Sequence, residues 1–394
     1  MKKLVKRIVT LPTILLFGLI NKLLKFRFGY ILASRIGHFA GDAILYNCNF
    51  KLGSNYTDWF FYVDEKPSNL IWEKIFLRNF KVIKSKKAHW FIRNFLLSDT
   101  LFPEQFRPSH FNLSTRDFQG LHLKVNHSLK LSNEENEEAI FKLKKMGWQG
   151  QPIVALHIRD SGYLQNDPNN KPNDPKAWDY HNYRNSDIST YNKTIQFLVD
   201  SNYFVIRLGK YTNKKADVSD KNYIDLWQDG YADDLLDIWV AMNSLFMIST
   251  GSGIEVLSIY SRVPLLLVNF LPVAGAYTFC NSMTVPKHLI WKHNNSSLTL
   301  KEMLKCNLFY SEEYNKLGIN IVDLNEIEIF DACNEFLDRI KHSFISIRED
   351  QGVVDKIESH IRKQEDFDKE FGFFHPQFSF GMNWIRSKGP GFLE

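Results

Sequence analysis

Three ionisable residues, His157, Arg159 and Asp160, follow directly on the apolar run Ile153–Leu156. Such a run predicts a buried strand, Ile153–His157, which places the three groups at its carboxyl end. In an open parallel sheet, ligands bind at that end. An arginine there suits an anion, because its planar, permanently charged fork can hold phosphate through two hydrogen bonds. The competing role is an Arg–Asp surface pair that closes the strand and contributes little. A second candidate lies downstream in F-M-I-S-T-G-S-G-I-E-V-L, residues 246–257. Here a predicted strand feeds Ser249, Thr250, Gly251, Ser252 and Gly253, and an apolar helix follows. Small residues let a phosphate approach the backbone, hydroxyls add hydrogen bonds, and the start of a helix favours negative charge. The same Gly-Ser turn is also common structural punctuation. It is neither a P-loop, since G-K-[ST] is missing, nor G-x-G-x-x-G.

Between these sites runs the segment 161–187, rich in Asn, Asp, Pro and Tyr and without periodicity. A loop that long inside a compact domain is usually functional or mobile. Tyr183, Arg184, Asn185 and Asp187 close it and could approach the pocket of Arg159, although Asp187 could equally cap the next helix. In the first half, S-R-I-G-H-F-A-G-D at 34–42 follows a predicted strand, Tyr30–Ser34. His38 is a candidate general base because imidazole exchanges a proton near neutral pH. Asp42 is the alternative base, with Arg35 beside them. A lone histidine is more often structural.

Other chemistries find little support. The clearest D-x-D, Asp366-Phe-Asp368, lies in a charged, predicted helical tail, not at a strand end where a metal–diphosphate would sit. H-E-x-x-H, clustered His/Cys ligands and G-x-S-x-G are absent, so neither a metal site nor a standard hydrolase elbow is expected. The four cysteines, Cys48, Cys280, Cys306 and Cys333, form no C-x-x-C pair. That pattern fits a reducing compartment better than a disulfide or metal framework.

These residues need elements to position them. At 394 residues the chain exceeds one ordinary core, which predicts two domains. It is 44% hydrophobic and 24% charged, which excludes whole-chain disorder. A net charge of +5 with no recognition motif does not indicate nucleic acid. Strand and helix signals alternate. Strands are expected at Tyr30–Ser34, Trp59–Val63, Ile153–His157, Tyr203–Leu208, Tyr223–Leu226, Leu245–Ser249, Val263–Val268 and His288–Trp291. Helices are expected at Phe39–Cys48, Asn69–Phe80, from a Ser132/Glu135 capping box to about Met146, and at Ser189–Asp200 and Asp233–Asn243, with helix dominating after Asn325. This is α/β, with a mostly parallel sheet covered by helices on both faces. The halves should part near Gly147–Pro152.

The N-terminus is basic and apolar. Lys2, Lys3, Lys6 and Arg7 precede the run Ile8–Ile20, and Lys22, Lys25 and Arg27 follow it. The run falls short of the ~20 residues a spanning helix needs. A peripheral anchor on an anionic membrane is expected, with an ordinary packed helix as the alternative. A second basic cluster, Lys81, Lys84, Lys86, Lys87 and Arg93, is interleaved with Phe80, Trp90, Phe91 and Phe95. It could be another membrane-facing patch or a solvated helix face.

The sequence resembles a bacterial group of glycosyltransferases that is distantly similar to GDP-fucose-using fucosyltransferases. The resemblance runs over most of the chain through R-I-G-H at 35–38, H-I-R-D-S-G-Y at 157–163, Y-R-N-S-D-I-S-T-Y at 183–191, V-I-R-L-G at 205–209, S-T-G-S-G at 249–253, V-N-F-L-P at 268–272 and G-P-G-F-L near the end. It departs from the fucosyltransferase pattern H-x-R-R-G-D, which leaves the donor open. The resemblance implies a GT-B architecture, two Rossmann-like domains facing a cleft. It implies a membrane-associating segment 1–27, an acceptor domain 28–147, a nucleotide-sugar domain 148–345, and a helical tail 346–394 packing back on the first domain. It also implies donor contacts from His157, Arg159, Asp160, Arg184, Arg207, Ser249, Thr250, Ser252 and Gly253, and acceptor contacts from Arg35 and Tyr183. His38 or Asp42 would be the base, and Arg159 would steady the departing nucleotide. No metal or cofactor is expected. The implied activity is inverting transfer from a nucleotide sugar to a glycan or lipid-linked acceptor, in surface polysaccharide assembly at the cytoplasmic face of the membrane. A nucleotide-sugar epimerase or hydrolase, a non-catalytic sugar-nucleotide-binding protein and a scaffold are the rival classes.

Overall fold

The computed structural model describes residues 12, 15–16, 18–21, 23–53, 55–62, 66–91, 115–166, 179–342, 350–365, 367–370 and 372–394. Arg93, Phe95, Asp366, the middle of the 161–187 segment and most of the N-terminal basic cluster lie outside them. The chain divides into two units, Met1–Arg116 with Leu121–Leu131, and Asp117–Gly120 with Ser132–Glu394.

In the first unit, β1 (Phe26–Ile31), β2 (Thr57–Tyr62) and β3 (Lys81–Val82) pair in parallel in the order β1-β2-β3. The helix Ile36–Lys51 buries an almost unbroken run from Gly37 to Cys48. A helix that is buried nearly all round belongs in a core, not on an amphipathic surface. The helix Leu70–Asn79 starts where Asn69 accepts a bond from the Trp72 N–H (2.8 Å) and buries Trp72, Ile75 and Phe76 along one stripe. Phe39, Tyr46, Phe60, Phe76 and Phe80 form an aromatic core, with Phe76 and Phe80 centroids 4.5 Å apart. Buried Asp58 on β2 receives the Tyr46 hydroxyl and both branches of the Arg27 guanidinium (2.6 Å each). The charge is thereby compensated where it is desolvated.

The second unit is built on seven parallel strands. These are β4 (Ile153–His157), β5 (Phe204–Arg207), β6 (Tyr223–Asp225), β7 (Phe246–Ser249), β8 (Leu265–Phe270), β9 (Ser282–Pro286) and β12 (Ser379–Phe380), in the order β12-β9-β8-β7-β4-β5-β6. The first four residues of β4 and all of β5, β7 and β8 are buried, and these strands are mostly apolar, with Arg207, Ser249 and Asn269 as buried polar residues. A small antiparallel pair, β10 (His288–Trp291) and β11 (Ile319–Val322), stands apart from the main sheet. The Ser132/Glu135 capping box opens a helix, Asn133–Lys145, as expected. A second box, Asn325 with Glu328, opens Glu326–Lys341 and buries Ile329, Ala332, Cys333, Phe336 and Leu337.

The first unit ends at Leu131, and the capped helix Asn133–Lys145 belongs to the second. In the tail, Ser379 and Phe380 pair with Met283 and Thr284 as the edge strand β12, and the next helix, Met382–Ser387, starts with its Met382 and Asn383 N–H groups on the Glu335 carboxylate. Phe378, Phe380, Trp384, Ile385 and Phe392 join the core of the second unit.

Candidate functional site

From β4 the chain adds strands outward to β6. It then returns to the other side of β4 with β7 and continues outward to β12. The direction reverses between β4 and β7, and loops leaving adjacent strands in opposite directions open a crevice there. His157 and Ser249 end these two strands as register partners. Just beyond, the Thr250 N–H donates to His157 O (3.3 Å) and the Arg159 N–H to Thr250 Oγ1 (3.0 Å). Two segments 91 residues apart in sequence are thus stitched together.

Two arginines converge on this seam. Arg159 Nε donates to Asn185 Oδ1 (3.3 Å), and the Ser186 N–H donates to Arg159 O (2.9 Å). Arg184, on the 3-10 stretch Asp179–Arg184, reaches the Gly251 carbonyl from its Nη2. Both residues are half-buried. Their hydrogen bonds to Thr250 and to Gly251 O set them beside the 249–253 turn.

A carboxylate braces the turn from within. Glu255 is fully buried behind it and takes the Ser249 hydroxyl (2.6 Å), the Ser252 N–H (2.8 Å) and the Tyr277 hydroxyl (2.6 Å). Burial pushes its carboxyl above the ordinary carboxylate range, while these three donors pull the other way. Ser249 also receives the Gly251 N–H (3.3 Å), and Thr250 is buried with its oxygen on Arg159. Ser252 and Gly253 are the part of the turn that solvent reaches. The turn therefore positions Arg159 and Arg184, with part of its own hydrogen-bonding capacity already used by a carboxylate. The S-x-x-E spacing of Ser252 and Glu255, one half of a capping box, was the available sequence signal.

Other expected donor residues also fall into supporting places. Arg207, the last residue of β5, is buried; it donates to Asp225 Oδ2 (2.9 Å) and lies 3.6 Å from Asp160 Oδ2. Asp160 accepts from the Gly162 N–H (2.8 Å) and the Asn213 N–H (2.9 Å), so it joins the loops after β4 and β5. His157 is held down to about 4 by burial and by the Arg207 and Arg159 charges, which keeps it neutral at physiological pH. Tyr183 is in the core with its ring on Tyr314 (5.7 Å). Asp187 caps the next turn through the Ser189 N–H (2.9 Å).

Within the first unit, His38 and Asp42 are one helical turn apart, with Nδ1 to Oδ2 at 3.4 Å. Asp42 is buried and His38 half-buried. Burial raises the Asp42 carboxyl above its ordinary range, partly offset by His38. Arg35 is exposed at the start of the same helix. Among the described residues no three His, Cys, Asp or Glu side chains gather as metal ligands, and no helix is long and apolar enough to cross a membrane.

No family model matches the sequence, and no curated protein matches it. Among solved structures, the chain is similar to E. coli ADP-heptose LPS heptosyltransferase II, with 10% identity and a TM-score of 0.45 over 80% of this chain and 99% of that one. It is also similar to a glycosyl transferase family 9 protein from Veillonella parvula, with 8% identity and a TM-score of 0.38 over 66% and 86%. A third likeness is to the S. aureus MnaA–UDP co-structure, with 9% identity and a TM-score of 0.32 over 82% and 98%.

Proposed function

We propose that the chain is a GT-B glycosyltransferase that moves a sugar from a nucleotide-sugar donor to a glycan or lipid-linked acceptor, with inversion and without a metal. The observation that carries this is the pair Arg159 and Arg184 at the one place where the strand order reverses. Two fixed cations there suit a diphosphate, and they suit it best as charge builds on the departing nucleotide. In this reading the second unit takes the donor and the first takes the acceptor. As the acceptor oxygen bonds to the anomeric carbon, the bond to the diphosphate breaks and its electron pair leaves with the nucleotide. The acceptor proton passes to a general base, for which His38 and Asp42 are the candidates.

The N-terminal helix supports a membrane-bound acceptor. Leu15, Leu16, Leu19, Ile20, Leu23 and Leu24 are all exposed, which lines about half the helix circumference. Asn21, on its other side, is buried and bonds Phe26 O (2.7 Å), which ties the helix to β1. No acidic residue precedes Asp42. An apolar face among cations suits an anionic bilayer surface, which supports the reading of surface polysaccharide assembly on the cytoplasmic side.

The test is a panel of nucleotide sugars incubated with protein and lipid-linked acceptor extract, followed by NMR. One donor should be consumed with release of its nucleoside diphosphate and inversion at the anomeric carbon. Arg159→Ala should lower kcat/KM by roughly a hundredfold or more. Epimerised sugar without transfer, or no consumption by folded protein, contradicts the proposal.

A further inference from the structure

A buried lysine lies behind the proposed anion site. Lys287 directly follows β9, is 2% exposed, and sends its ammonium to Asn185 O (2.6 Å) and Asp323 Oδ1 (2.7 Å). Fully buried lysines are rare, because the ammonium loses its hydration and must find partners. One of the two partners here is an ordinary main-chain carbonyl, and that carbonyl belongs to the residue whose side chain holds Arg159.

A second tie runs parallel to the first. Asn269, on β8 with a left-handed φ of 54°, accepts the Leu324 N–H (2.7 Å) and donates to Ser186 Oγ (2.8 Å). The Ser186 N–H in turn bonds Arg159 O. Residues 323–324 therefore grip residues 185–186 through two buried polar side chains, and residues 185–186 grip Arg159 by both side chain and backbone. A left-handed asparagine in a strand costs conformational energy that must be offset by what it holds.

We infer that Lys287 is a positioning residue for Arg159: it fixes Asn185 so that the guanidinium is preset in the crevice before a ligand arrives. The inference rests on the anion-binding role proposed for Arg159. A guanidinium set in advance gains more per hydrogen bond than one that must be ordered on binding.

The test is titration calorimetry with inorganic pyrophosphate, ADP, GDP and UDP on the wild type, Arg159→Ala, Lys287→Met and the double variant. Lys287→Met should weaken binding about tenfold, and the double variant should bind no more weakly than Arg159→Ala alone, because the lysine acts through the arginine. Lys287→Arg, which keeps a cation in place, should recover part of the loss. Wild-type affinity in Lys287→Met, or losses that multiply in the double variant, overturns the inference. If Lys287→Met does not fold, Asp323→Asn, at a side chain 39% exposed, should give a smaller loss that Arg159→Ala likewise absorbs. If the wild type binds none of the probes, the nucleotide reading falls, and the crystal structure of Lys287→Met still decides. Arg159 Nε displaced from Asn185 Oδ1 supports the inference, and an unmoved pair contradicts it.

Discussion

Glu255 shows how one buried carboxylate sets the character of a turn. Three donors converge on it from a strand end, the turn and a distant loop. Replacing it with Gln keeps the shape but turns one acceptor oxygen into a donor facing donors. Glu255→Gln should cost about 1–3 kcal/mol, measured by urea unfolding. Asp237 makes a pH-dependent prediction. It lies 7% exposed on the helix Asp234–Asn243, and burial raises its carboxyl from 3.8 to about 7. Between those values the folded chain holds a proton that the unfolded chain has lost, so stability falls as pH rises through the window. Asp237→Asn removes that cost. It should raise the Tm by a few degrees at pH 8 and leave it nearly unchanged at pH 4. An equal shift at both pH values would contradict the assignment. Arg207, at the end of β5, meets its acids, Asp225 and Asp160, from a neighbouring strand and loop. Only the strand order brings them together.

The elements differ in how openly they are written. Residues 153–157 form a strand with the expected bounds because both faces are covered and the run is uniformly apolar. The Ser132/Glu135 box was legible because capping is local. β12 was hidden because it has only two residues and takes its strand character from β9. The 249–253 turn was half legible. Its glycine at 251 has φ +86°, and a Cβ there would lie 2.8 Å from the Phe270 ring. Gly251→Ala should destabilise the chain by roughly 2 kcal/mol in urea unfolding, through left-handed strain and the displaced ring. It should also weaken nucleotide binding, since Gly251 O holds Arg184. The N-terminal helix has a separate test. Leu19→Lys with Leu23→Lys should cut co-sedimentation with anionic vesicles by about a hundredfold or more, as each buried leucine contributes ~1.5–3 kcal/mol. Binding unchanged by the pair would remove the membrane from the account.

For the whole molecule, sheet topology carries more functional information than any single motif. The α/β class and two-unit division follow from strand–helix alternation and length, and both are present. The reversal between β4 and β7 is invisible until the order β12-β9-β8-β7-β4-β5-β6 is known, and it selects Arg159 and Arg184 from many charged residues. The central claim is that this point holds a nucleoside diphosphate. The most direct measurement is a thermal-shift series with ADP, GDP and UDP, with and without divalent metal. A ligand bound only by the folded chain stabilises it by ~2.7 kcal/mol at a hundredfold excess over Kd. The account predicts a rise of several degrees with one nucleotide, without metal, lost in Arg159→Ala. A folded wild-type protein whose melting no nucleotide moves would contradict it.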